Sequence, residues 1–445
     1  MEARAPGRPW KRALAWLALL GPFFYASYGF ANAMAARRED VPSIVFGWEQ
    51  AVPFLAWTIV PYWTTNLFYA ASPFLCRDRR ELDTHCLRLL SVQVLAVSCF
   101  LLWPLAFSFE RPASGGVFAG MFAALEGFDR PYNQAPSLHI AITVVLWTRY
   151  SKVLRGAWRW LLHGWFALVC ASVLTTFQHH FIDIPTGLAA GWLCVWLWPE
   201  RTTAPWRGAR LAADPARWRL AGLYTAAAVA CGVTASLAGG AWLWLWWPAL
   251  SLGLVAGNYA WFGASGFQKR GDGRLSTAAR WLYAPYLAAA WINSRAWTRR
   301  RPAPVEVADG VWLGRLPGWS DRERCAVVDV CAELSLPGGT RPGDRRVPML
   351  DLVAPPPDAL REAAVAIEDA RRHGQVLVCC ALGYSRSALA VAAWLLATGR
   401  APDADGAIGR LRAARPEVVL REAHRHALLA AQTPPAATLA AEAAP

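Results

Sequence analysis

The chain has 445 residues, of which 55% are hydrophobic and only 17% charged, and it holds 26 tryptophans. That is too apolar for an ordinary soluble protein and calls for membrane spans. A formal charge of +14 would suggest a nucleic-acid partner in a soluble chain, but no RNA- or DNA-binding motif accompanies it, so the charge reads as basic loops that orient the chain in a bilayer.

Apolar runs long enough for a bilayer recur through the first 265 residues, at about 13–33, 51–75, 87–108, 134–150, 158–178, 181–198, 219–238 and 241–263. The pattern predicts a polytopic helical bundle of about eight spans. Arg4, Arg8, Lys11 and Arg12 precede the first run; Arg77, Arg79, Arg80, Arg88, then Arg149, Lys152, Arg155, Arg159, then Arg201, Arg207, Arg210, Arg217 and Arg219 flank the later even-side loops. The intervening loops hold Arg37, Arg38, Arg111 and Arg130, diluted by six acids. This asymmetry places the N-terminus and everything after residue 263 inside, as expected for an integral protein of a bacterial inner membrane. Ala31-Asn-Ala33 could follow a signal sequence, but the preceding run is longer than a signal core, which favours an uncleaved span.

Two polar clusters interrupt the apolar half: Pro136-Ser-Leu-His139, and Gln178-His-His-Phe-Ile-Asp183. On the predicted topology both lie at the outer face. His179 and Asp183 are four apart, so on a helix the carboxylate reaches the imidazole one turn away. Ionisable groups at bilayer depth are costly, which makes them functional candidates. Interfacial capping of span ends or a metal pair are the alternatives. The Pro-Ser-x-His and His-x-x-x-Asp pattern resembles the type 2 phosphatidic acid phosphatase superfamily, in particular its inositol-phosphoceramide synthase-like branch, over roughly residues 45–200. The resemblance implies that His179 is a nucleophile forming phosphohistidine, that Asp183 fixes its tautomer, and that His139 protonates the leaving oxygen. Ser137 and Arg130 would bind phosphate. His179 is preferred to His180 on spacing alone. The Ser-Arg pair of that family is replaced by Ser172-Val173. His85, His163 and His373 have no partners in sequence and read as structural.

Residues 264–304 are basic and carry Trp281-Leu-Tyr-Ala-Pro-Tyr-Leu-Ala-Ala-Ala-Trp-Ile, the composition of a helix lying on the inner leaflet. A different chemistry follows. Val376-Leu-Val-Cys-Cys-Ala-Leu-Gly-Tyr-Ser-Arg-Ser387 is a β-type run, a cysteine, five residues, then arginine and serine, opening a helix. Backbone N–H groups at a helix N-terminus favour an anion and lower a thiol's pKa, and Arg386 can grip two phosphate oxygens. Over roughly residues 305–430 this stretch resembles the dual-specificity branch of the protein tyrosine phosphatases. The resemblance implies Cys380 as nucleophile, Arg386 as phosphate grip, Ser387 as the hydroxyl assisting breakdown of phosphocysteine, and Asp351 as general acid. It also implies a loop of Ala381, Leu382, Gly383, Tyr384 and Ser385 around the phosphate. Cys379 stands where that family usually has histidine.

The domain expectation is thus a membrane lipid-phosphatase-like domain (1–200), two additional spans (201–263), the basic connector (264–304), a soluble α/β phosphatase domain of the dual-specificity type (305–432) and a disordered tail (433–445). None of the ten cysteines has zinc or disulfide-framework spacing, and neither chemistry needs a metal or other cofactor. The expected function is a bifunctional membrane phosphatase on phosphomonoesters of phospholipid or phosphorylated-headgroup type, with a protein substrate kept open for the inner site. The alternatives make the membrane half a headgroup transferase, or an inert lipid-sensing anchor for the cytoplasmic enzyme.

Overall fold

The computed structural model describes residues 8–318 and 325–433. Arg4 and all but the first residue of the predicted tail lie outside them. The chain divides into two compact units, residues 1–200 and 201–445.

The first unit is helical: α1 (Trp10–Ala35), α2 (Ile59–Ala71), α3 (Arg79–Leu102), α4 (Gly116–Glu126), α5 (Leu138–Val153), α6 (Ala157–Thr175) and α7 (Asp183–Leu197). Each of the six apolar runs predicted here contains a helix; α4, in an intervening loop, was not foreseen. Asp78 caps α3 by accepting from Glu81 N, and Ser137 caps α5 by accepting from Ile140 N. Helices α5 and α7 pack closely because Gly187 and Gly191 lie one turn apart. A Cβ on Gly187 would sit 2.7 Å from the Ser137 carbonyl oxygen, and one on Gly191 2.8 Å from that of Ala141. This is the small-xxx-small approach that apolar surroundings favour.

Two arginines taken above as loop charges are internal. Arg149 is 1% exposed and pairs with Glu81, while Arg88, 3% exposed, reaches Glu200 at 2.8 Å. Their charges are neutralised within the bundle, so the basic asymmetry rests on fewer residues than the sequence suggests.

The second unit opens with the hairpin α8 (Pro215–Ala238) and α9 (Trp246–Gly257), followed by a π-helical turn over Asn258–Phe262. Helices α1, α3, α6 and α8 are long and apolar enough to cross a membrane; the other predicted spans are shorter as helices. The connector folds into α10 (Thr277–Leu282) and α11 (Ala284–Trp297), with Trp281, Trp291, Ile292 and Trp297 exposed. The exposed apolar surface and the four long helices point to membrane association.

The α/β part follows: β1 (Val305–Ala308), β2 (Val311–Arg315), β3 (Ala326–Cys331), β4 (Arg345–Met349), α12 (Pro357–Arg371), β5 (Val376–Cys380), α13 (Arg386–Ala397), α14 (Ala404–Ala414) and α15 (Glu422–Gln432). The sheet order is β1-β2-β5-β3-β4, parallel except for the antiparallel edge pair β1–β2. Strand β5 is central and buried throughout, which is why its sequence is a continuous apolar run rather than an alternating one. Helices α12 and α13 supply the core that covers the sheet, with Ile367, Leu389 and Trp394 fully buried. In such sheets the site lies beyond the carboxyl ends of the strands. Cys380 is the last residue of β5.

Candidate active site

The loop after β5 turns on Gly383, at φ +79°. A Cβ there would lie 2.4 Å from the Gly314 carbonyl carbon and 2.7 Å from Arg315 N, so only glycine fits the loop against β2. The Gly383 N–H donates to Cys380 Sγ at 3.2 Å, and Ser387 Oγ lies 3.3 Å from the same sulfur. The Cys380 carbonyl accepts from Leu316 N at 2.7 Å, which fixes the strand end. Cys380 and Ser387 are buried. Ala381 is buried, and Leu382 packs into the apolar cluster formed with Leu316, Val327 and Leu334.

Arg386 opens α13 and is 1% exposed. Its Nη1 and Nη2 donate to the two oxygens of Glu333 at 2.7 Å each, and Nη1 also reaches the Met349 carbonyl at 3.0 Å. Its Nε is buried and meets no acceptor among the described residues, leaving one N–H for a phosphate oxygen. Asp351 Oδ1 lies 3.1 Å from Nη2, so the structure brings the arginine, the upstream aspartate, the cysteine loop and Ser387 to one place. Burial pushes the Asp351 carboxyl above the usual carboxylate range; Arg386 pulls against this and Glu333 adds to it. For Glu333, burial is overridden by the Arg386 fork, which holds its carboxyl below that range. Burial drives the Cys379 and Cys331 thiols well up, so both are inert neighbours rather than thiolates.

Sequence reasoning missed three supports. Glu333 could have been suspected as an acid just past the apolar strand β3. Arg415, 2% exposed, lies 5.2 Å from the Tyr384 ring centroid and donates to the carbonyls of Ala303, Leu313 and Arg301. His424 Nε2 lies 3.2 Å from Ser385 Oγ, from the far helix α15. Neither has a local sequence signal.

The second constellation lies within the first unit. His179 Nδ1 is 3.0 Å from Asp183 Oδ2, and its Nε2 is 3.2 Å from Ser137 Oγ. Asp183 also accepts from His180 N at 3.1 Å, while its carbonyl accepts from Ser137 N at 3.1 Å. His139 Nε2 lies 2.8 Å from Thr65 Oγ1, and its ring stacks on Tyr62 at 4.0 Å. His139 and His179 both line a cavity of about 460 Å³, together with Tyr28, Tyr62 and Asp129. His180 faces elsewhere. Its Nδ1 is 3.0 Å from Glu49 Oε2 and its Nε2 3.0 Å from Ser108 Oγ, so both ring nitrogens are engaged. Glu49, a buried carboxylate that also accepts from Phe46 N and Phe181 N, was not anticipated. Arg130 is exposed and does not line the cavity, against the expectation that it neutralises phosphate there. His85, His163 and His373 bond Ser72, Trp147 and the Asp369 carbonyl respectively. They have partners, though not ones legible in sequence.

Residues 340–433 match the family described as dual specificity phosphatase, catalytic domain. Solved structures similar to this chain include Tk-PTP in its active form, at 25% identity over 30% of this chain and 97% of that one, with a TM-score of 0.27. Human DUSP28 is 23% identical over 31% of this chain and 99% of its own, with a TM-score of 0.26. PTPMT1 in complex with PI(5)P is 19% identical over 31% and 97%, with a TM-score of 0.24. No curated protein matches the chain. The matched segment begins at β4, whereas the sheet also takes β1, β2 and β3 from residues 305–331. The C-terminal part therefore carries a dual-specificity phosphatase catalytic domain, and the chain is a phosphatase that hydrolyses phosphoesters.

Proposed function

We propose that the second unit removes phosphate from a phosphomonoester borne by a lipid or lipid headgroup, through phosphocysteine on Cys380. The observation that carries this is the loop geometry: Cys380 Sγ faces the Gly383 N–H and the Ser387 hydroxyl, beside a buried Arg386 with a free Nε. In the first step the Cys380 sulfur forms a bond to phosphorus while the ester P–O bond breaks, and protonated Asp351 gives its proton to the departing alkoxide. Arg386 and the amides of residues 381–385 hold the equatorial oxygens as charge shifts onto them. In the second step Asp351, now ionised, takes a proton from water as its oxygen bonds to phosphorus. The P–S bond breaks, inorganic phosphate leaves, and Ser387 stabilises the sulfur. The basic connector with its exposed tryptophans supports a substrate held at a membrane surface, and the basic residues at the span ends support a cytoplasmic face in a bacterial inner membrane.

A second reading, for the first unit, is supported by the Ser137–His179–Asp183 relay with His139 on the same cavity. His179 would take the phosphoryl group, with Asp183 orienting its ring and His139 protonating the leaving oxygen. Among the described residues lining that cavity there is no lysine or arginine, and there is a carboxylate, Asp129. A dianionic monoester would be poorly matched, so the singly charged phosphodiester of a headgroup-transfer reaction fits this site better than the monoester first expected.

The test is phosphate release, from lipid phosphates and inositol phosphates, by full-length protein in nanodiscs, comparing wild type with Cys380→Ser and His179→Ala. The proposal expects monoester turnover to fall with Cys380→Ser on the order of 10⁴-fold or more, as for loss of a nucleophile. Turnover that survives Cys380→Ser overturns it. Headgroup exchange on a labelled phospholipid that survives His179→Ala overturns the second reading.

A further inference from the structure

The phosphatase loops of the second unit are not held by the α/β part alone. Tyr259, 1% exposed, sits in the π-helical turn that ends α9. Its hydroxyl donates to the Asp351 carbonyl oxygen at 3.0 Å. Its ring stacks on Tyr224 of α8 at 5.6 Å and 18°, so the hydroxyl is aimed by the hairpin. A π-turn in an otherwise α-helical run frequently marks a functional position. The residue after Asp351, Leu352, is 64% exposed and at φ +61°, a conformation leucine rarely adopts and nothing on its side chain requires. The Asp351 carbonyl held by Tyr259 is thus flanked by the Asp351 side chain on one side and by this left-handed residue on the other.

Two neighbouring anchors come from the connector. Ser294 of α11, 1% exposed, donates to the Ala381 carbonyl at 2.5 Å, inside the cysteine loop. Lys269 is buried against Asp329 of β3 and donates to the Cys331 carbonyl at 2.5 Å. Membrane-hairpin and connector residues therefore touch the backbone of the acid loop, the cysteine loop and the strand between them.

We propose that Tyr259 is a positioning residue for the general acid: the α8–α9 hairpin holds the Asp351 loop where its carboxyl reaches the leaving group. The inference rests on the reading of Asp351 as that acid. It makes the hairpin part of the enzyme rather than a tether, so hydrolysis of esters with basic leaving groups depends on how the hairpin is packed.

The test uses full-length protein in nanodiscs and two aryl esters, phenyl phosphate and 4-nitrophenyl phosphate; the second expels an anion that needs little protonation. Tyr259→Phe keeps the stacked ring and removes only the hydroxyl. It is expected to lower kcat/KM, which reports the first step alone, about tenfold on phenyl phosphate, the order of one lost hydrogen bond, and less than about twofold on 4-nitrophenyl phosphate. Asp351→Asn shows that pattern more strongly if it is the acid. Equal losses on both esters, or none, for Tyr259→Phe while Asp351→Asn still discriminates, overturn the positioning role. An Asp351→Asn variant that does not discriminate overturns the acid assignment and this inference with it.

Discussion

Replacing Glu333 by glutamine removes one charge from the most tightly packed polar contact in the phosphatase site. Two N–H···O bonds of 2.7 Å join Glu333 to Arg386, and the side chains are 3% and 1% exposed. Two unit charges about 4 Å apart interact by about 4 kcal/mol at an effective dielectric of 20. Removing one partner of a buried pair costs about 3–5 kcal/mol, and glutamine, which keeps one acceptor oxygen, belongs at the lower end. The larger consequence is for Asp351, 3.1 Å from the same guanidinium. Glu333 raises the Asp351 carboxyl and shares the arginine with it. Without that charge Arg386 acts on Asp351 alone, and the aspartate ionises at lower pH. The first step needs Asp351 protonated, so the basic limb of the kcat/KM profile on phenyl phosphate shifts to lower pH. The stability defect has the opposite dependence. Glu333 is held below its unfolded value, so its stabilisation is present at neutral pH and is lost as pH falls through its folded value. Wild type and Glu333→Gln thus converge in denaturation midpoint in acid. A basic limb that stays fixed or moves up, in protein that remains folded, would refute the coupling.

Other outcomes follow from single contacts. Lys269→Met leaves Asp329 buried without its partner; a loss of about 3–5 kcal/mol is expected in denaturant unfolding, largely recovered by adding Asp329→Leu, as buried pairs allow. Gly383→Ala places a methyl 2.4 Å from the Gly314 backbone at φ +79°; an overpacking cost of about 1–3 kcal/mol and loss of aryl phosphatase activity are expected, read by thermal unfolding and turnover. Gly187→Leu wedges α7 from α5, because even a Cβ would lie 2.7 Å from the Ser137 carbonyl oxygen; headgroup exchange should disappear while phosphatase activity on 4-nitrophenyl phosphate persists.

The phosphatase half was readable because its chemistry is local. Cys380, Gly383, Arg386 and Ser387 lie within eight residues on one strand, turn and helix, and the short range of those contacts fixes their geometry almost regardless of context. Spacing likewise suggested His179 beside Asp183, and the two bond at 3.0 Å, although His179 lies in the segment before α7 rather than on a helix with Asp183. It could not separate His179 from His180. That depends on Glu49 and Ser108, which arrive from 131 and 72 residues away and occupy both nitrogens of His180. Arg130 illustrates the converse: the family resemblance implied a phosphate contact, yet the residue is exposed and does not line the cavity.

Hydrophobic content and the spacing of apolar runs, properties additive along the chain, were enough to expect a helical membrane-type first part, while the α/β domain was expected from the Cys380–Ser387 motif and the resemblance it carries. Which charges are buried, and what holds the catalytic loops, is not additive. Glu333 on Arg386, Lys269 on Asp329 and Tyr259 on the Asp351 carbonyl each join segments 53 to 92 residues apart. A low-dielectric interior makes such pairings strong only once both partners are brought together, and that meeting is decided by packing of the folded chain.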